Sequence, residues 1–444
     1  MCTLRYRLLL PLGLLLVAAL GAFGWLDAVA MPLPRLLLPT AAFLCYAAAG
    51  LSATRTGTSN GTPIALIWAI AVLARLVLLP LPPELSDDIY RYLWDGHVLG
   101  QGINPYAHPP AHDALAAIRT PWHGEINHPD VPTIYPPLAQ LLFAAVAVTG
   151  GGVLGAKALW LGFDLGCGLL LQRIATRTGR DPAPVLVWYL WSPLLIVETA
   201  WSAHFDPVGL FLLAALILLA GSRGRDPGWR RAGGLGALLA AATTVKLAPA
   251  AALPALIRRH GWTTAAAFAA VCAALYLPFA GAGPAALTEG LRTYARHWSA
   301  NEGAFALIGA LVGDPVQARI VAAALVLGVV AYVTWRGFSI ERALLWIIGA
   351  GLLLSPTVHP WYVLWVLPMA ALRDSRPFLL LGGLAFLGYW GLASYEATGV
   401  WPQPAWTRAA MWLPVWLMLL WTVVPRASDR YPAAKSATKG SDPH

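Results

Sequence analysis

The sequence predicts an all-α protein threaded repeatedly through a membrane, with about 12 crossings and one or two short or re-entrant helices. Three observations predict it. Of the 444 residues, 58% are hydrophobic and 11% charged, where soluble domains carry about a quarter charged residues. Mean hydropathy is +0.63. Apolar runs recur along the chain without the alternation of barrel strands, and a helix is then the form that satisfies its own backbone in lipid.

The net charge of +9 is spread in short clusters between apolar runs: Arg5/Arg7, Arg173/Arg177/Arg180, Arg223/Arg225/Arg230/Arg231, Arg258/Arg259 and Arg373/Arg376. That is the positive-inside pattern of cytoplasmic loops and excludes a basic nucleic-acid face. Cys2, Cys45, Cys167 and Cys272 are dispersed and form no disulfide framework or zinc spacing.

The first run, Leu8 to Leu26, exceeds a signal-peptide core of about 7–15 residues, so it is expected to stay as an uncleaved span. Further spans are expected near 36–53 and 63–81, leaving the N-terminus and Arg55 inside and residues 82–135 outside. That loop holds Glu84, Asp87, Asp88, Asp95, Asp113, Glu125 and Asp130 against two arginines. Residues 136–150 and 153–172 are both apolar, yet Arg173 beyond them belongs inside. One of the two must be short, interfacial or re-entrant. The pair 184–201 and 205–221 forms a hairpin, and 232–257, with Lys246, Pro249 and Pro254 inside it, reads as a broken or re-entrant pair. Later spans fall near 262–280, 318–335, 340–356, 360–372, 377–395 and 407–424. Two N-terminal helices (1–62) thus precede a transmembrane catalytic domain (63–424) and a cytoplasmic tail (425–444). Most of the ten histidines share the outer face with most carboxylates.

Three motifs carry chemistry. Asp87 and Asp88 open an ionisable cluster directly after an apolar span, where partial desolvation and a neighbouring carboxylate favour a general base. Pairing with Arg91 on the same helical face is the structural alternative. Next come Tyr90-Arg91-Tyr92-Leu93-Trp94-Asp95-Gly96 and Gly102-Ile103-Asn104-Pro105-Tyr106, aromatic platforms for sugar rings beside hydroxyl-binding Asp and Asn, or else an interfacial belt. Third is Thr133-Ile134-Tyr135-Pro136-Pro137-Leu138-Ala139-Gln140, which re-enters the membrane. His108 and His112 stand four apart, but Pro109-Pro110 between them rules out a helical metal pair.

In this order the motifs resemble the polyprenol-phosphate-sugar-dependent glycosyltransferases of the GT-C superfamily, above all bacterial α-mannosyltransferases and the dolichol-dependent mannosyltransferase of glycolipid-anchor synthesis. Glu198 with His204-Phe205-Asp206, Lys246-Leu247-Ala248-Pro249, and Ser355-Pro356-Thr357-Val358-His359-Pro360-Trp361-Tyr362 extend the resemblance. It implies a GT-C-like fold with a catalytic first external loop, at the outer face of the cytoplasmic membrane. It also implies an inverting transfer from a polyprenyl-phosphate sugar to a lipid or glycan acceptor. Asp88 would be the base, with Asp87 the alternative, and Ser86 stands where the family's Asp-x-Asp pattern has its first aspartate. Arg91, Lys246, Arg292, Arg296, His297 and His359 are the candidate cations for the leaving phosphate. Tyr92, Trp94, Asp95, Asn104, Tyr106, Tyr135, Glu198, His204, Asp206 and Trp361 complete the expected substrate site. No cofactor or metal set is assigned. Mannose rests on the resemblance alone, and arabinose, glucose and galactosamine-type donors stay open. A transporter or flippase of lipid-linked sugars is the competing class, although its usual paired repeats are absent by eye.

Overall fold

A computed structural model describes residues 8–26, 31–54, 64–222, 228–398, 401–402 and 404–423. Arg5, Arg7, Arg55, Arg223, Arg225 and the expected cytoplasmic tail lie outside the described residues. Among those described, the chain is helical throughout, with one isolated bridge between Ala300 and Thr357 as its only β pairing.

The first three helices, α1 (Leu9–Trp25), α2 (Pro32–Thr54) and α3 (Ile64–Leu78), pack together at the head of the chain. After α3 the chain forms α4 (Asp88–Gly100) and two short 3-10 turns, Asp113–Ile118 and His123–Glu125. Trp94, Val98, Leu115 and Ile126 give this segment its own small core.

The parity conflict resolves by length. Pro137, at the first helical position, starts α5 (Pro137–Val148), whose 12 residues rise about 18 Å. The following α6 (Gly152–Arg177) has 26 residues and is long enough to cross. Residues 184–201, expected as one span, are bent by 52° between α7 (Pro182–Leu190) and α8 (Pro193–Ile196), which runs into a π-helical turn at Val197–Trp201. Asp181 and Ser192 accept from Ala183 N and Leu195 N, so each piece carries its own N-cap ahead of a proline. Then come α9 (Asp206–Gly221) and α10 (Gly228–Thr243). The expected break in 232–257 is present: a 3-10 turn, Ala248–Ala252, separates α10 from α11 (Leu253–His260).

Beyond it the structure departs from the sequence pattern. The expected span 262–280 does not end there. It comprises α12 (Trp262–Tyr276), a 3-10 turn and α13 (Gly283–His297), a 36-residue run of about 54 Å against a hydrocarbon layer of about 30 Å. The chain closes with α14 (Ala304–Val312), α15 (Pro315–Arg336), α16 (Ile340–Leu354), a 3-10 turn at Pro360–Val366, α17 (Leu367–Arg373), α18 (Arg376–Leu384), α19 (Leu392–Thr398) and α20 (Ala405–Val423).

Five helices among the described residues are long and apolar enough to cross, or six counting the bent pair. Four shorter apolar helices, including α5 and α9, accompany them. This is a multi-pass membrane architecture, and the count of about 12 exceeds the helices that meet the length requirement. The reason is breakage: prolines and turns divide several apolar stretches into pieces too short to span alone.

Inside the apolar layer one ion pair ties three elements. Arg75 Nε of α3 meets Asp164 Oδ2 of α6 at 2.6 Å, and Arg75 Nη1 donates to Leu190 O of α7 at 2.9 Å. Nearby, Lys157 Nζ donates to Leu81 O (2.5 Å) and Trp201 Nε1 to Pro82 O (2.7 Å), which fixes the chain where it leaves α3.

Candidate active site

The three sequence motifs converge. Asp95, on α4, receives Arg91 Nε (2.9 Å), Thr133 Oγ1 (2.5 Å) and Gln140 Nε2 (3.1 Å), joining the second motif to both ends of the third. Tyr106 donates to Tyr135 O at 2.6 Å, and Asn104 to Phe279 O at 2.9 Å, so the second motif is also tied to the third and to the long 262–297 run. Asp95 is buried and its two oxygens are taken by the protein. Asp95, Asn104 and Tyr106 therefore hold the loop in place. Trp94 lies in the small core with Val98, Leu115 and Ile126 and does not line the cavity.

What the loop covers is a cavity of about 1060 Å³, the upper end of the range for ligand sites. Asp88, Arg91 and Tyr92 enter from α4 and Asp87 from its N-cap, Tyr135 from the third motif, and Lys246 from the break after α10. Facing them are His359, Trp361 and Tyr362. One wall is apolar, with Leu247, Ala251, Ile347, Ile348 and Leu352.

The two aspartates are clamped together. Asn127 Nδ2 donates to Asp87 Oδ1 at 2.6 Å and Asp88 Oδ1 at 2.9 Å, and Tyr92 donates to Asp88 Oδ2 at 3.3 Å. Burial, and next the charge of Asp88, push the Asp87 carboxyl up to about 6, against the opposing Asn127 hydrogen bond.

Behind Asp88 stands His204, with Nε2 3.8 Å from Asp88 Oδ2 and Nδ1 2.9 Å from Glu198 Oε2. The second contact is misaligned for a hydrogen bond. Tyr389 donates to Glu198 Oε1 at 2.6 Å. His204 and Glu198 are buried behind the wall. His204, Trp361 and His359 form a stack, with centroids 4.0 Å and 4.6 Å apart. Burial pushes His359 down to about 4, outweighing the nearby Asp88 charge, so its imidazole is neutral at pH 7 and offers an N–H rather than a cation.

Lys246 Nζ meets Asp206 Oδ1 at 2.6 Å and lies over Tyr362, 4.9 Å from the ring centre. Trp365 Nε1 donates to the same Asp206 oxygen at 2.5 Å. Asp206 thus anchors the lysine from behind. Arg292, Arg296 and His297 are exposed on α13 and do not line the cavity, whose cations are Arg91 and Lys246.

Asn127, Tyr294, Trp298 and Tyr389 line the cavity and were not singled out in the sequence. Tyr294 and Trp298 arrive because the 262–297 run continues past its expected end, and Tyr294 bonds Tyr362 through their hydroxyls at 2.6 Å. Among the described residues, no three His, Cys, Asp or Glu side chains are grouped to hold a metal ion.

A helical membrane protein with paired carboxylates, cations and stacked rings around one covered cavity has the furniture of an intramembrane transferase. The chain belongs to the family described as alpha-(1->6)-mannopyranosyltransferase, N-terminal domain, which matches residues 17–262. It is 27% identical to alpha-(1->6)-mannopyranosyltransferase B of Corynebacterium glutamicum, over 68% of this chain and 58% of that protein. It is also 26% identical to alpha-(1->6)-mannopyranosyltransferase A of Mycobacterium tuberculosis, over 82% of this chain and 75% of that one. Against alpha-(1->6)-mannopyranosyltransferase A of C. glutamicum the identity is 26%, over 44% of this chain and 39% of that one. The match therefore spans less than two thirds of either C. glutamicum relative. No solved structure gives a significant match.

Proposed function

We propose that this protein transfers a mannosyl residue from a polyprenyl-phosphate donor to a lipid or glycan acceptor, with inversion, at the outer face of the cytoplasmic membrane. The observation that carries the reading is the convergence of three motifs on one cavity that sets Asp88 beside Arg91, Lys246 and the His359–Trp361–Tyr362 wall. Family membership and the relatives' names support mannose as the sugar.

Asp88 Oδ2 takes the proton of the acceptor hydroxyl as its oxygen attacks the anomeric carbon. The bond from that carbon to the phosphate oxygen breaks on the opposite face, which inverts the configuration. Arg91 and Lys246 balance the charge that grows on the leaving phosphate, and the His359 N–H is placed to donate to it. Such fixed donors work best where water is excluded. Tyr362 offers its ring to the sugar, and the Ile347–Leu352 side offers an apolar wall to the prenyl chain.

The test is transfer from polyprenyl-phosphate mannose in membranes holding Asp88→Asn, Asp87→Asn or the unaltered protein. Asp88→Asn should lose activity by at least about 100-fold at equal folded amount, and Asp87→Asn should lose less. Full activity of Asp88→Asn overturns the base assignment. Product with retained configuration by NMR overturns the single displacement.

A further inference from the structure

Local backbone geometry around His204 is unusual in two independent ways. The helix before it ends in a π-helical turn at Val197–Trp201, a form frequent at functional sites. Ala203 then takes φ of 62°, a left-handed conformation that strains a residue with a Cβ. His204 N closes the turn onto Glu198 O at 2.8 Å. The effect is to bring Glu198 and His204, six residues apart, side by side behind Asp88.

We propose that His204 is a proton-relay residue acting through Asp88, with Glu198 and Tyr389 as its positioning partners. This rests on Asp88 being the base. Glu198 Oε2 lies 2.9 Å from Nδ1 and Asp88 Oδ2 lies 3.8 Å from Nε2, so a small turn of the imidazole would set Nδ1–H on Glu198 and the Nε2 lone pair toward Asp88. Rings of Trp361 and His359 stacked on one face of His204 fix its plane. The remaining gap is of the kind that tightens when substrate fills a site.

The proton balance is closed. The acceptor O–H bond breaks as its proton goes to Asp88 Oδ2, and from there the proton passes to His204 Nε2. The resulting imidazolium is balanced by Glu198, whose other oxygen is held by the Tyr389 hydroxyl at 2.6 Å. Asp88 is thereby returned to its ionised form, and the proton leaves by the same route to water once products depart. Groups facing His204 are Asp88 from α4 and Asp87 from its N-cap, Glu198 from the π turn, and His359 from the segment before the Pro360–Val366 turn.

Turnover then needs Asp88 ionised and His204 free to take the proton. His204→Gln, assayed for kcat across pH 4–9 in detergent-purified protein with polyprenyl-phosphate mannose, should lose about 10–100-fold at neutral pH. Its acidic limb should also move down by about one unit or more, with donor KM within about threefold. A merely structural histidine would lower the whole profile without moving its limb. A limb that stays, or moves up, overturns the relay. If His204→Gln does not accumulate folded, Tyr389→Phe deletes one oxygen and should shift the limb in the same direction by a smaller amount; an unmoved limb there also overturns it. Failure of the base reading looks different, since Asp88→Asn would then stay active whatever His204→Gln does.

Discussion

At the scale of single residues, the site is built on a carboxylate pair that the fold holds at some cost. Asp87 keeps its proton up to about pH 6 in the folded protein, because burial and Asp88 disfavour its charge. An unfolded aspartate releases its proton near pH 4. Its contribution to stability is therefore complete below about pH 4 and is lost as pH rises through about 6. Asp87→Asn should raise stability by about 1 kcal/mol at pH 7.5 and leave it nearly unchanged at pH 4. Thermal unfolding in detergent at the two pH values checks this, and a lower midpoint at pH 7.5 refutes it. Asp87 and Asp88 were legible as a candidate pair because they break out of an apolar run. Asn127, which clamps them, was not: nothing in Glu125-Ile126-Asn127-His128 marks it, and it reaches Asp88 from 39 positions away. Tyr389, 191 positions from Glu198, is hidden for the same reason.

At the scale of elements, the crossing of α4 over α5 decides where the carboxylates sit. Gly96 makes it possible, since a Cβ there would run into the backbone carbonyl of Phe143, which cannot swing aside. Tyr92 stacks on the same Phe143 at 4.8 Å one turn earlier. Gly96→Ala should force the two helices apart and cost about 1–3 kcal/mol. Because α4 carries Asp88 and Arg91, kcat should also fall, and faster proteolysis within 82–135 should accompany a lower melting point. An unaltered melting point and kcat would show that the helices yield freely. Motif spacing marked α4 and α5, and their tie through Asp95 was not readable from it. Trp94, Asp95, Asn104 and Tyr106 carry sugar-binding side-chain types, yet the structure uses them to fasten the loop. Composition cannot separate the two uses, because the same donors and rings serve both. The breaks at 191–192 and 244–252 follow from prolines and caps, while the π turn leaves no sequence mark.

At the scale of the whole molecule, Arg75 and Asp164 act as an internal rivet between α3, α6 and α7. Removing one partner strands a charge in a dry interior, so Arg75→Leu should cost about 3–5 kcal/mol. The double variant Arg75→Leu/Asp164→Leu should recover most of that, because apolar packing can replace a buried pair. Folded yield and thermal midpoint of the three variants measure the coupling; an additive double loss would remove the rivet. Membrane class was legible from hydropathy alone, whereas the length of each span was not, since only tertiary contacts decide whether a bent stretch crosses. One more feature has reach beyond stability. The ring stack joins His204, within residues 17–262 that the family model matches, to Trp361 and His359 beyond them, so the pocket exists only once these two stretches of chain have folded against each other.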